Sequence, residues 1–69
     1  MELIIELHIK EIRQRQGLSI RDLAELSGVS KSHISYIENR QTVPTILTVC
    51  CLAVALGVDL EELVSYEEI

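Results

Sequence analysis

The sequence predicts an all-α domain, a compact bundle of five helices, and three observations carry that expectation. Apolar residues recur at helical spacing, through Ile9 and Ile12, Leu23 and Ala24, Ile34 and Ile37, and Val49, Leu52, Ala53 and Leu56. Glycines stand where such stripes stop, at Gly17, Gly28 and Gly57, and Ser19, Ser30 and Asp59 stand where the next stripe begins. A length of 69 residues holds one domain, residues 1–69, and 48% hydrophobic content with only two aromatics suits a small core of Leu, Ile and Val.

Taken in order, residues 3–16 read as the first helix, with Leu3, Ile5, Ile9 and Ile12 inward and Lys10, Arg13, Gln14 and Arg15 largely outward. Leu3, Ile5 and Leu7 also alternate as a strand would, so the opening segment either extends this helix or pairs with a second subunit. Gly17 closes it. Ser19 caps the second helix, about Ile20 to Ser27, because its hydroxyl can accept an orphan N–H, and Asp22 complements the positive end of the helix dipole. Ile20, Leu23, Ala24 and Leu26 form its apolar face, and Gly28 takes the left-handed conformation that ends it.

Ser30 is the next cap, and the third helix runs over about 30–39. Ile34 and Ile37 face the core, leaving Lys31, Ser32, His33, Ser35 and Tyr36 outside. After a loop from Asn39 to Val43, Pro44 sits at the first turn of the fourth helix, whose core face is Ile46, Val49, Leu52, Ala53 and Leu56. Gly57 ends that helix. Asp59 and Glu62 form a capping-box-like start to a fifth, Leu60, Leu63 and Val64 complete the core, and Ser65–Ile69 is a short acidic end.

The stretch from Ser19 to Asn39 is helix, glycine turn, helix, the layout of a helix-turn-helix whose second helix reads the DNA major groove. Residues 9–63 resemble the domain of phage repressors and Cro, the xenobiotic-response-element (XRE) family. The likeness rests on Arg13, Gly17-Leu18-Ser19, Leu23-Ala24, Gly28-Val29-Ser30, Ile34, Ile37-Glu38-Asn39, Pro44 and the run Ala53–Val58, in order and at the usual spacings. It implies a lambda-repressor-like bundle and a sequence-specific DNA-binding transcriptional regulator, by expectation a repressor. Such a regulator binds a near-palindromic operator as a homodimer, with the helix over about 30–39 in the major groove.

The resemblance also implies roles for residues. Arg13 is either an exposed cation or the family's arginine that pairs with the glutamate ending the third helix, here Glu38. Lys31, Ser32 and Tyr36 occupy base-reading positions, flanked by His33 and Ser35; a lysine donates to guanine O6 or N7, and a serine serves several bases. Arg21, Ser30, Ser35, Asn39, Arg40, Gln41 and Thr42 are the expected contacts to the DNA backbone, with Asn39 open to a second role as helix cap. Two departures stand out. The family commonly has Gln where Ile20 stands and Gly where Arg40 stands, so the first phosphate contact falls to backbone N–H groups or Arg21, and Arg40 takes a turn conformation at some strain.

Charge pulls the other way. The net charge is −5, yet all six basic residues, Lys10, Arg13, Arg15, Arg21, Lys31 and Arg40, lie in the first forty positions. Through Pro44 they balance Glu2, Glu6, Glu11, Asp22, Glu25 and Glu38, while Asp59, Glu61, Glu62, Glu67 and Glu68 make the C-terminal end acidic. Phosphate neutralisation supplies most non-specific affinity, so weak non-specific binding and dependence on dimerisation are expected.

In the fourth helix, the positions that the family usually keeps polar are Leu47, Cys51 and Val54, which share one stripe. An exposed apolar stripe signals a partner. The expected occupant is a second subunit, joined by Tyr66 and Ile69, unless the chain's own C-terminal segment folds back over it. Adjacent Cys50 and Cys51 read as small hydrophobes of the helix, and reduced thiols point to the cytoplasm. No membrane span, cofactor, metal site or small-molecule ligand is expected. An enzyme is disfavoured, since neither histidine has a nucleophile or carboxylate at a motif spacing. The competing class is a protein-interaction module, of the antitoxin or regulator-binding type, built on the Leu47–Cys51–Val54 stripe.

Overall fold

A computed structural model describes residues 1–69. Its elements run β1 (Leu3–Leu7), α1 (Ile9–Arg15), α2 (Ile20–Ser27), α3 (Lys31–Glu38), α4 (Ile46–Leu56), α5 (Leu60–Leu63) and β2 (Val64–Glu68). The five expected helices are present, but the fold is not strictly all-α. β1 and β2 pair antiparallel in a two-stranded sheet, with Leu3 opposite Glu68, Ile5 opposite Tyr66 and Leu7 opposite Val64. The first helix therefore starts at Ile9 rather than residue 3, and the acidic end is a strand. The alternation of Leu3, Ile5 and Leu7 is a period of two, and it finds its match in Val64 and Tyr66 at the far end of the chain.

Local chemistry accounts for the helix limits. The Ser19 hydroxyl accepts the Asp22 N–H at 3.0 Å while the Asp22 carboxylate accepts the Ser19 N–H at 2.8 Å, a reciprocal capping box. The Ser30 hydroxyl accepts the His33 N–H at 3.1 Å at the start of α3. α4 begins later than the proline suggests. Thr45 is its cap, accepting the Thr48 N–H at 3.2 Å, and Pro44 lies just outside the helix. The Glu62 carboxylate accepts the Asp59 N–H at 3.2 Å and starts the short α5. Gly28, at φ +76°, gives α2 the left-handed exit that a side chain would resist.

The core is Ile9, Ile12, Leu23, Ile34, Ile37, Val49, Leu52, Ala53, Leu56 and Leu63, so every helix contributes. Leu7, Leu18, Ile20, Ala24, Val29, Ala55, Val58 and Val64 pack around it. Five expected core residues lie outside: Leu3, Ile5, Leu26, Ile46 and Leu60 are exposed. Leu3 and Ile5 left the core with the switch from helix to strand. Leu26 and Ile46 satisfy the helical period, but they stand at element ends where no second element covers them. Cys50 is exposed and Cys51 half-buried, so only the latter behaves as a packed apolar residue. No helix is long and apolar enough to cross a membrane.

The capping box carries a pH signature. The Ser19 backbone N–H, then its hydroxyl, hold the Asp22 carboxyl below the usual aspartate range, with Arg21 adding to the effect. A depressed folded-state value adds stability that is complete above the unfolded value of about 3.9 and is lost as pH falls through the folded one. In urea titrations Asp22→Asn should unfold at lower urea than the wild type at pH 7. The gap should hold down to about pH 5 and narrow in more acid solution. A gap independent of pH would contradict this account of the cap.

Candidate nucleic-acid interface

The outward side of α3 is set by what it buries. Ile34 and Ile37 are in the core, which turns Lys31, Ser32 and Tyr36 to solvent. Together with Ser35 and Ile20 of α2, these residues line one shallow hollow on the surface. Ile20, expected on the apolar face of α2 and as a residue lacking a phosphate contact, packs against the core and also lends its aliphatic side chain to the hollow beside Tyr36. His33 and Ser35 are half-buried rather than outside, and His33 does not line the hollow. The wheel accounts for this, since His33 lies about 200° round from Lys31, on the shoulder next to Ile37.

Arg13 is not outward. Its Nε donates to Glu38 Oε2 at 2.9 Å and its Nη2 to Glu38 Oε1 at 3.0 Å, a two-pronged bond between the end of α1 and the last residue of α3. The remaining nitrogen, Nη1, donates to the Leu18 carbonyl at 2.8 Å in the turn before α2. One guanidinium thus joins α1, the α1–α2 turn and the C-terminal end of α3. The side chains are 9% and 4% exposed, so the pair is shielded from water and each charge needs the other. The hydrogen bond to Glu38 and its charge raise the already high Arg13 pKa, outweighing burial, so the guanidinium stays cationic at any pH where the domain folds.

The loop after α3 is built by the same end motif as two other helices. The Arg40 N–H donates to Ile37 and the Gln41 N–H to Tyr36, as Gly17 and Leu18 donate to Gln14 and Arg13, and Gly57 and Val58 to Val54 and Ala53. In the other two, the left-handed position is glycine. Here it is Arg40, at φ +58°, the only non-glycine residue with positive φ. A side chain in that region costs about 1–2 kcal/mol. The strained turn leaves Arg40, Gln41 and Thr42 exposed beside the C-terminal end of α3. Asn39 is exposed but tied back on its own helix, its Nδ2 donating to the Ser35 carbonyl at 2.9 Å, so it acts as a helix cap. Arg21 and Ser30 are exposed at the starts of α2 and α3.

The expected partner surface divides in two. Leu47 and Val54 are 71% and 81% exposed on α4, and Ile46 and Cys50 widen that face, with Cys51 half-buried at its margin. The C-terminal segment does not fold back over it, because β2 pairs with β1 instead. Tyr66 and Ile69 are exposed on and next to β2, away from the α4 stripe they were grouped with. One polar contact that sequence patterning missed closes α4: Gln16 Nε2 donates to the Leu56 carbonyl at 2.7 Å.

Comparison with known proteins adds the following. Residues 9–63 match the helix-turn-helix family model. Over 60 residues the chain is 47% identical to the HTH-type transcriptional regulator PuuR of Escherichia coli, covering 87% of this chain and 32% of PuuR. It is 36% identical over 66 residues to the HTH-type transcriptional regulator SinR of Bacillus licheniformis, covering 94% of this chain and 60% of SinR. The crystal structure of the restriction-modification controller protein C.AhdI from Aeromonas hydrophila superposes with a TM-score of 0.78 at 33% identity, covering 80% of this chain and 83% of that one. The chain thus spans about a third of the length of PuuR and over half that of SinR.

The fork between Arg13 and Glu38 makes a specific energetic prediction. Arg13→Ala strands a shielded carboxylate and should cost roughly 3–5 kcal/mol in chemical denaturation. The double variant Arg13→Met/Glu38→Leu should be clearly more stable than either single truncation, because neither charge is then left unpaired. Additive losses in that cycle would show that the two side chains are not coupled.

Proposed function

This chain belongs to the XRE-type helix-turn-helix family, and from that premise we propose that it is a sequence-specific DNA-binding regulator of transcription. In this reading it occupies a near-palindromic operator as a homodimer and represses the promoter beneath it, working in the cytoplasm where that DNA lies. The observation that carries the reading is the set Lys31, Ser32 and Tyr36 on one exposed side of α3, a helix held at both ends by the core and by Arg13. An α-helix fits the major groove, where Lys31 can donate to guanine and Ser32 to several bases. Tyr36 has a ring to lay on a thymine methyl and a hydroxyl for a phosphate. His33, half-buried on the shoulder of α3, is left a supporting contact.

Backbone contacts in this reading come from Arg21 and Ser30 at helix starts and from Arg40, Gln41 and Thr42 in the turn after α3, with Ser35 and Asn39 helping from the end of α3. The strain at Arg40 supports the assignment. Glycine would relieve it, so a cation kept there has a use, and phosphate is the anion a helix-turn-helix meets. A two-fold pair of such domains sets its recognition helices about 34 Å apart, one turn of DNA. The relatives named as transcriptional regulators support the same class.

A second reading is favoured by one observation, the solvent face of α4. Ile46, Leu47, Cys50 and Val54 are exposed there with no charged residue among them, and the chain as a whole is acidic. A helix face of that kind suits docking of another protein, and in that reading the helix-turn-helix is a scaffold for the contact.

Selection from random-sequence duplex DNA separates the readings. A DNA regulator should enrich a two-fold symmetric site, and Lys31→Ala/Tyr36→Ala should abolish that enrichment while leaving the thermal midpoint near that of the wild type. Absence of enrichment even at low salt would favour the docking module. Arg40→Gly should move stability and affinity in opposite directions. Folding should gain roughly 0.5–1 kcal/mol, whereas operator affinity should fall and its salt dependence should lose about one phosphate contact. Unchanged affinity would remove Arg40 from the interface.

A further inference from the structure

The two strands flank the family match, β1 ending at Leu7 before residue 9 and β2 beginning at Val64 after residue 63. The ribbon is therefore an addition to the matched domain, and it is left incomplete. A two-stranded sheet is marginal in water and gains independent stability from further strands. Its pairing fixes which groups are unused. The Ile69 N–H donates to Glu2 and the His8 N–H to Leu63, so the even residues of β1 bond to β2. By alternation, Leu3, Ile5 and Leu7 turn their N–H and C=O groups to the outer edge, where no backbone partner meets them.

The two edges differ. β2 carries Glu67 and Glu68, the kind of charge that keeps an edge from pairing. β1, with the sequence LIIEL, has a single charge, no proline and no lysine. From this asymmetry we infer that β1 is a self-association edge, and that a second copy of this chain pairs its own β1 against it, antiparallel, about a two-fold axis at Ile5. The contact deepens the homodimer reading by naming the surface, and its test reads oligomeric state without DNA.

Charge selects the register. With Ile5 opposite Ile5 of the second copy, Leu3 meets Leu7, every outward N–H and C=O of these residues finds a partner, Glu6 meets Ile4, and Glu2 meets His8. Moving the axis to Ile4 sets Glu2 against Glu6, and moving it to Glu6 sets Glu6 against itself; like charges directly opposite are destabilising. The product is a four-stranded sheet in the order β2, β1, β1, β2. One of its faces joins Leu3, Ile5, Leu7, Val64 and Tyr66 of both copies, with Glu68 at its outer corners, and in each copy Leu7 and Val64 already pack on the core. A groove beside β1 is half apolar, with Ile37, Val43 and Pro44 next to Ile5 and Leu7, and half polar, with Glu38, Arg40 and Thr42.

The test is sedimentation equilibrium of the full chain with two single variants. Ile5→Pro deletes an outward donor without touching a bond to β2, and Val54→Asp places a charge on the α4 face. The wild type should be dimeric at micromolar concentration, Ile5→Pro monomeric with helical circular dichroism retained, and Val54→Asp still dimeric. Cross-linking supplies the register. In a Cys50→Ser/Cys51→Ser background, Ile5→Cys should oxidise to a covalent dimer, since paired Cα atoms about 5.5 Å apart suit a disulfide, whereas Leu3→Cys should not. Four results would each overturn the proposal: a monomeric wild type, an Ile5→Pro dimer, loss of the dimer in Val54→Asp alone, or equal cross-linking at residues 3 and 5.

Discussion

One guanidinium decides how α1 and α3 sit against each other. Arg13 lies in the last turn of α1, yet its three nitrogens are all committed elsewhere, two to Glu38 and one to the Leu18 carbonyl. A planar fork meeting a carboxylate fixes direction as well as distance, which a lysine at the same place would not do. Glu38 is the last residue of α3, and the strained turn at Arg40 begins two residues later. The orientation of α3 and the position of the following cation therefore share one anchor. Ile34 and Ile37 are the two residues by which α3 enters the apolar core, and the Arg13–Glu38 bond adds a directional constraint at its end.

That anchor also accounts for how a chain this small keeps a precise surface. A domain of 69 residues buries roughly 60% of its unfolded surface, which leaves little stability to spare. The hydrophobic core uses ten residues spread over all five helices, so no helix is held by more than a few. Precision then comes from polar devices at the ends: the Ser19–Asp22 box, the hydroxyl caps of Ser30 and Thr45, the Asn39 side chain turned back on Ser35, and Gln16 on the last carbonyl of α4. Each satisfies groups that a short helix exposes in high proportion.

These devices also explain what was legible in the sequence. Caps, glycine exits and core stripes are local, and local patterns gave the helices and the inward faces of α2, α3 and α4 to within a few residues. Proline misled at α4, because Thr45 next to it makes the better cap. Periodicity alone put Leu26, Ile46 and Leu60 inside, and it has no knowledge of where neighbouring helices stop. The closeness of Arg13 and Glu38 came from resemblance to a family, for nothing in their spacing predicts contact across 25 positions. The ribbon was half legible. The alternation in β1 is plain, but its partner lies some sixty residues on, and in β2 the pattern is masked by Glu67 and Glu68.

The ribbon and the helices answer different requirements. Helices satisfy their own backbone groups, so α3 can present side chains to solvent without an open edge. A ribbon cannot, and the two ends of this chain have formed one whose β1 edge is apolar and unguarded. From Asp59 to the end there are five acids and no base, whereas the six bases lie on α1, α2, α3 and the turn after α3 among as many acids. Among the cations, Lys31 lines the hollow on α3, while Lys10 and Arg40 share a recess with Glu6 and Leu7 of β1. Ile5 and Leu7 share a groove with Arg40, Thr42 and Val43, so the open strand edge and the strained turn after α3 lie side by side, and what is built at one constrains the other.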